Sequence, residues 1–397
     1  MKKSLLALAA MGAFAGGAQA QSSVTVFGLI DAGIVQTNVD YGVNGVGKQS
    51  QTAIGGLNNA NGTGTLSGSR LGFRGVEDLG GGMTAGFHIE TALNYSQSSN
   101  FTTAATMTDS ASANNGGALF ASVRQAYASL STKGFGQLRI GTQHSLGKDT
   151  MESIDPLGGV TLTGAGNQYQ NAIHGFSGRY SQALTYFSPN MGGLSGRLQT
   201  IVDGTPSNNG AGTTANATPT SNRANAASLD FTKGAIKLAG YYERKMTWYQ
   251  AAGAAGNALV PMSMTGTTAA VIPVINAWSL GGSYDFKVVK PSIMYFSQDA
   301  TVGSVAQTGK TSGTQLGATV PVSAAATLFA SYTTGSVTNN SSSLYDTAGM
   351  QLVGNYNLSK RTGIYAAYGQ TDWKTKNSTV TSSVKYTSYG VGMRHSF

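Results

Sequence analysis

Six arginines and three acids are the side chains best placed to do chemistry. Arg70, Arg74, Arg139, Arg179 and Arg197 lie in segments where polar and apolar residues alternate, and Arg124 lies in a further, less regular one. Asp149, Glu152 and Asp155 sit close together in a long polar stretch. A guanidinium stays charged at any relevant pH and offers several donors in a rigid fork, so arginines gathered on one surface attract anions and organic acids. That is steering and binding chemistry. Covalent chemistry has little to work with. Cysteine is absent, which removes a thiolate nucleophile, a thiolate metal site and a disulfide framework. His88, His144, His174 and His395 show no metal-ligand spacing. No G-x-S-x-G elbow and no phosphate-binding loop are present. The reading is therefore a protein that is not an enzyme and needs no metal or cofactor.

The elements that must carry these side chains are strands. In residues 83–95, Met83, Ala85, Phe87, Ile89, Leu93 and Tyr95 alternate with Thr84, Gly86, His88, Glu90 and Asn94. A period of two puts one set on each face of a strand. Leu71 and Phe73 oppose Arg70, Gly72 and Arg74; Leu138 and Ile140 oppose Gln137, Arg139 and Gln143; Tyr180, Leu184 and Tyr186 oppose Arg179, Ser181 and Thr185. Parity thus aligns Arg70, Arg74, Arg139, Arg179 and Arg197 on polar faces. The segment around Arg124 has no such clean parity.

Connections decide what kind of β-protein this is. Tight Gly- or Pro-containing breaks, such as Asp78-Leu79-Gly80-Gly81-Gly82, Lys133-Gly134-Phe135-Gly136 and Pro189-Asn190-Met191-Gly192-Gly193, alternate with long polar stretches at 37–68, 98–118, 145–178, 204–223 and 250–276. Short turns at one end and long loops at the other are the mark of a transmembrane barrel, whereas so many long loops argue against a compact soluble domain. Strands are predicted to begin near residues 22, 69, 83, 119, 136, 178, 194, 224, 235, 276, 289, 312, 324, 346, 362 and 383. The fold class is all-β: an antiparallel transmembrane β-barrel of about sixteen strands, wide enough to enclose water. Tyr127, Tyr186, Tyr241, Tyr242, Tyr365, Tyr368, Tyr386 and Tyr389 lie near strand ends, as interface girdles would require.

Composition agrees. Charged residues make up 10% of the chain, against about 25% in soluble domains. No segment is long and apolar enough for a transmembrane helix. Lys2 and Lys3, an apolar run and Ala18-Gln19-Ala20 make residues 1–20 a signal peptide, leaving 21–397 as one barrel domain outside the cytoplasm. Removing Lys2 and Lys3 takes the formal charge from +9 to +7. The basic residues are scattered singly, so nucleic acid is not the expected partner.

Several stretches resemble trimeric general porins of β-proteobacterial type. They are Ser22-Ser23-Val24-Thr25-Val26-Phe27-Gly28-Leu29-Ile30-Asp31, Ser69-Arg70-Leu71-Gly72-Phe73-Arg74-Gly75, Arg124-Gln125-Ala126-Tyr127, Phe135-Gly136-Gln137-Leu138-Arg139-Ile140-Gly141, Tyr186-Phe187-Ser188-Pro189-Asn190 and Gly390-Val391-Gly392-Met393-Arg394-His395-Ser396-Phe397. The resemblance implies a Gram-negative outer-membrane channel for passive diffusion of small hydrophilic solutes and ions. It implies sixteen strands, a homotrimer, contact with outer-membrane lipid and lipopolysaccharide, and delivery by the barrel-assembly machinery. It also implies a third long loop folded into the lumen and an arginine cluster on the channel wall at Arg70, Arg124 and Arg179. Arg74 and Arg139 join that wall by parity. Asp149, Glu152 and Asp155 then lie in the constricting loop. Two arrangements are open for them: facing the arginines across the eyelet, or pinning the loop to the wall by hydrogen bonds. Tyr389 and Phe397 belong to the closing, assembly-competent strand. The net positive chain favours anions; a substrate-specific channel and a non-channel adhesin barrel are the alternatives.

Overall fold

The computed structural model describes residues 23–42, 47–55, 66–93, 120–159, 178–201, 222–247, 273–302, 307–339, 342–376 and 383–397. The signal segment lies outside them. The described residues form one antiparallel sheet of seventeen strands. Its first half comprises β1 (Ser23–Tyr41), β2 (Lys48–Gly55), β3 (Arg70–Gly80), β4 (Met83–Leu93), β5 (Phe120–Thr132), β6 (Gly136–His144), β7 (Arg179–Phe187) and β8 (Leu194–Ile201). Its second half comprises β9 (Asn222–Lys233), β10 (Ile236–Thr247), β11 (Pro273–Tyr284), β12 (Lys290–Val302), β13 (Gln307–Pro321), β14 (Ala326–Asn339), β15 (Ser342–Asn357), β16 (Thr362–Thr375) and β17 (Ser383–Ser396). One helix, α1 (Leu146–Ile154), follows β6.

Neighbours follow chain order, and β1 closes the circle by pairing with β17, where Leu29 faces Ser396. The other edge of β1 is shared. Residues 23–29 pair with β3, and residues 33–40 pair with β2. The barrel wall is therefore sixteen strands, β1 and β3 to β17, and β2 is a hairpin arm standing above β3. The stretch 37–68, read from sequence as loop, thus begins with paired strand. Its polar, alternating residues, such as Ser50, which donates to Asn38 Oδ1 at 2.8 Å, satisfy each other across the arm. Strand starts otherwise lie close to expectation. The largest differences are β13, which begins at Gln307 rather than near 312, and β15, at Ser342 rather than near 346.

The two faces of the wall differ as alternation requires. Val24, Val26, Phe73, Ile89, Ile140, Leu198, Leu229 and Leu280 are exposed on the outside, where lipid covers them. Thr185, Gln199, Ser228, Thr311, Gln315 and Thr333 are buried on the inside. This reverses a soluble protein, and the reversal places the water within.

Two loop segments enter the lumen. Ser145 caps α1, its Oγ accepting from the Lys148 backbone N–H at 3.1 Å. Met151 and Ile154 on the apolar face of α1 pack on Ala239, Tyr241, Ala277, Met294 and Phe296. These are inward residues of β10, β11 and β12. Burying each such side chain stabilises the loop by about 1.5–3 kcal/mol, enough to hold it across the channel on the far wall. The end of the first loop also turns inward. Leu66 is buried among Val35, Val353, Tyr365 and Ala367, with Leu157 from the end of the α1 segment against the same cluster.

Candidate functional site

Arginines line the wall from β3 to β8, but they do not form one cluster. The upper tier, nearer the long loops, is built around Glu90 on β4. Arg124 Nε donates to Glu90 Oε1 at 2.5 Å, and Arg70 Nε lies 3.8 Å from Glu90 Oε2. Arg70 also donates to Ser67 Oγ and Gly68 O, which ties the inward end of the first loop to this tier. Arg179 stands within electrostatic range of Arg124, Arg70 and Glu90. Its Nε is buried with no hydrogen-bond partner among the described residues.

Two irregularities explain how these side chains arrive. On β5, Glu90 faces Gln125 while Thr91 faces Val123, so Arg124 is the extra residue of a β-bulge. A bulge re-aims its side chain, which is why parity gave no direction for Arg124. On β7, Gln182 adopts φ 54° and the register with β6 shifts between Gly141 and Gln143. Tyr180, expected to face outward with Leu184 and Tyr186, instead points inside and donates to Glu243 Oε1 at 2.6 Å.

The lower tier holds Arg74, Arg139 and Arg197. Arg74 and Arg139 lie against aromatic rings and make no ion pair among the described residues. Arg197 is fully engaged: Nη2 donates to Asp230 Oδ2 at 2.7 Å, Nε to Ser228 Oγ at 2.8 Å, and Nη1 reaches Asp149 Oδ2 at 3.4 Å.

The loop acids are tied down. Asp149 accepts from Arg197 and meets His144 Nδ1 at 3.0 Å. Glu152 pairs with Lys148 one helical turn away. Asp155 is turned to the far wall, where Oδ1 accepts from Gln315 Nε2 at 2.8 Å and Oδ2 from the Gly159 N–H at 2.7 Å. Of the two arrangements the sequence leaves open, Asp149 and Asp155 therefore pin the loop. Glu90, on the wall itself, is the acid that meets Arg70 and Arg124. It was visible as an inward position of β4, but a lone carboxylate on a polar face gives no signal of its role.

Electrostatics of α1 follow from this placement. Burial raises the Asp149 carboxyl, but the hydrogen bond and charge of His144, with Arg197 and Lys148, bring it below the usual range. Burial pushes the Asp155 carboxyl up, against its bonds from Gly159, Leu157 and Gln315. Burial, then Arg179 and Arg124, lower the Lys148 ammonium to about 7. His144, Asp149 and Glu152 each offer a ligand atom within 4.8 Å of the others. The Lys148 and Arg197 cations already occupy both carboxylates, so a metal ion fits this group poorly.

Aromatic placement is mixed. Tyr186, Tyr242 and Tyr389 are exposed on the outside, as a girdle requires. Tyr241 and Tyr365 are buried inside, and Tyr127 stacks on inward His88. At the closing seam, Gly28 and Phe397 exchange both backbone hydrogen bonds, at 3.1 and 3.2 Å.

Comparison with known proteins is consistent along the whole chain. A family model described as Gram-negative porin matches residues 7–376. An outer membrane porin protein of Bordetella pertussis is 30% identical over 437 residues, covering 100% of both chains. Outer membrane porin protein 32 of Delftia acidovorans is 34% identical over 199 residues, 49% of this chain and 48% of that one. Among solved structures, an anion-selective porin from Comamonas acidovorans aligns with TM-score 0.66 and 22% identity over 95% of this chain and 100% of that one.

Proposed function

Because the chain belongs to the Gram-negative porin family and forms a water-filled outer-membrane channel for passive diffusion, not an enzyme, we propose that this channel prefers anions. The observation that carries the preference is charge left over inside the barrel. Glu90 serves Arg70 and Arg124, and Asp230 with Asp149 serves Arg197. Arg74, Arg139 and Arg179 have no carboxylate partner among the described residues. Fixed, unneutralised guanidinium groups in a narrow aqueous passage raise the local anion concentration and exclude cations. The anion-selective porin of like fold supports the same reading.

The upper tier, with Lys148 on α1, is the constriction in this reading. Asp149, Glu152 and Asp155 hold the loop that forms it, and Arg74 and Arg139 extend the basic wall toward the short turns. Reversal potential of the purified protein in a planar bilayer under a potassium chloride gradient tests the preference. A value on the chloride side is expected; a potential on the potassium side sinks it.

The proposal extends to assembly. Residues 1–20 act as a cleaved signal, so the mature N-terminus is Gln21, which Edman sequencing of the purified protein checks. The channel assembles as a homotrimer in contact with outer-membrane lipid and lipopolysaccharide, delivered by the barrel-assembly machinery. A trimer form of OmpT from Vibrio cholerae has the same fold at 14% identity and TM-score 0.62. A monomer by light scattering in mild detergent would count against the trimer.

A further inference from the structure

Nearer the short turns than Glu90, six inward side chains on six neighbouring strands stack along the wall. Arg74 Cζ lies 5.2 Å from the Phe27 ring centroid. The Phe27 and His88 centroids are 5.1 Å apart, and the His88 and Tyr127 rings are 5.3 Å apart and parallel to within 3°. Arg139 Cζ lies 4.8 Å from the Tyr127 centroid and 4.1 Å from that of Phe187. The stack thus runs through β1, β3, β4, β5, β6 and β7. Gly72 is a condition for it: a Cβ there would fall within the Phe27 ring, so a side chain would push the ring off the wall.

The order of the stack decides what it shows to the channel. The parallel His88 and Tyr127 rings cover each other's faces, while Phe27 meets His88 at a 43° tilt, so these half-buried rings offer the lumen edges more than faces. Ring edges carry the positive end of the aromatic quadrupole. Arg139 is held between two rings, and within the wall it spends only Nε, on Gln137 Oε1 at 2.7 Å. Its Nη groups have no hydrogen-bond partner among the described residues, and Arg74 is exposed without a carboxylate. His88 Nε2 is buried and likewise unpartnered among the described residues. No carboxylate interrupts the row.

A ligand suited to this surface carries a negative π face for the ring edges and a carboxylate for the guanidinium forks. We infer that the stack is a subsite for aromatic monocarboxylates of the benzoate type. It favours them over saturated carboxylates of equal charge and similar size. The inference rests on the anion-preferring reading and adds the π face to it. A row that served only to stiffen the wall would not distinguish the two ligand types, since both carry the same charge.

The test uses the full channel in a planar bilayer. Benzoate and cyclohexanecarboxylate are titrated as blockers of single-channel current, with the chloride reversal potential measured on the same protein. Benzoate should reach half-block at a concentration roughly threefold or more below cyclohexanecarboxylate. Phe187→Leu, which removes one plate and no charge, should bring the benzoate value toward that of the saturated acid. Equal potency of the two acids in the unmodified protein, or no block by either, overturns the inference even while the reversal potential stays on the chloride side. A potassium-side potential overturns the underlying anion reading instead. If Phe187→Leu does not insert, the comparison of the two acids on the unmodified channel still decides.

Discussion

The Arg124 guanidinium and the Glu90 carboxylate meet at 2.5 Å, both side chains about nine-tenths buried, and Arg70 stands behind the same carboxylate. One acid thus restrains two of the three upper-tier arginines. Glu90→Gln should leave the tier more positive and the channel more anion-selective. A unit charge about 7 Å from a passing ion in water is worth about 0.6 kcal/mol, and it acts with opposite sign on chloride and potassium, so their ratio should rise roughly sevenfold. The same change leaves the buried Arg124 guanidinium and the partly buried Arg70 uncompensated, so thermal stability should fall. Reversal potential and heat-induced unfolding of the purified variant check both. A ratio that falls would mean that Glu90 organises the arginines more than it neutralises them.

Lys148 makes selectivity depend on pH. Burial and the neighbouring Arg179 and Arg124 lower its ammonium to about 7. The folded value lies below that of a free lysine, so between the two values the unfolded chain binds more protons. Raising the pH through that window therefore relieves a destabilisation. It also removes one positive charge from the constriction. Anion preference should fall several-fold between about pH 6 and about pH 8.5, because the lost charge acts on both ions with opposite sign. In Lys148→Gln the step should vanish, with the preference held at its alkaline level. A pH step that survives this substitution assigns the titration to another group.

The limits of the sequence are instructive at this constriction. Alternation places Arg70, Arg74, Arg139 and Arg197 correctly because those strands keep register. It fails at Arg124 and Tyr180 because one extra residue in a strand inverts every later assignment until the pattern resets. The turn-and-loop rhythm reveals sixteen wall strands, yet β2 stays hidden because its polar residues look like loop. The helix α1 is too short for periodicity to stand out, with only Leu146, Met151 and Ile154 as large apolar residues. Its position on β10 to β12 comes from tertiary burial, which no local pattern records. The acids of this loop are legible as a group, but their partners, Arg197 on β8 and Gln315 on β13, are far away in sequence.

Asp155 anchors the constricting loop to β13. Asp155→Ala removes the acceptor for Gln315 and for the Gly159 N–H, at a cost of about 1–3 kcal/mol. Freed on that side, the loop should fluctuate, giving noisier single-channel currents than the unmodified protein. Burial raises the folded pKa of this carboxyl, so its contribution is present in acid and is lost as pH rises through the folded value. The unmodified channel should therefore be quieter in acid. Asp155→Asn, which keeps an acceptor and carries no charge, should be less noisy than the alanine variant and insensitive to pH. Identical noise in all three proteins would show that the apolar contacts of Met151 and Ile154 hold the loop unaided.

Barrel closure depends on the fit between Gly28 and Phe397. Their backbones exchange two hydrogen bonds, and a Cβ on Gly28 would fall within the Phe397 ring. Gly28→Ala should therefore displace the ring and destabilise the seam by about 1–3 kcal/mol, as overpacking commonly does. Phe397→Ala should also destabilise, through lost ring contact. The two effects should add less than fully, because once the ring is gone the methyl group at position 28 keeps only its close approach to the Arg70 carbonyl oxygen, at 2.7 Å. A double-mutant cycle on heat-induced unfolding reads this directly, and an interaction energy beyond about 0.5 kcal/mol is expected. Additive losses would mean that the ring makes its stabilising contacts elsewhere, and that closure rests on the backbone pair alone. The seam is where the first and last strands must find each other across the full chain length. A local steric match at the final residue gives that long-range pairing a register that alternation alone does not set.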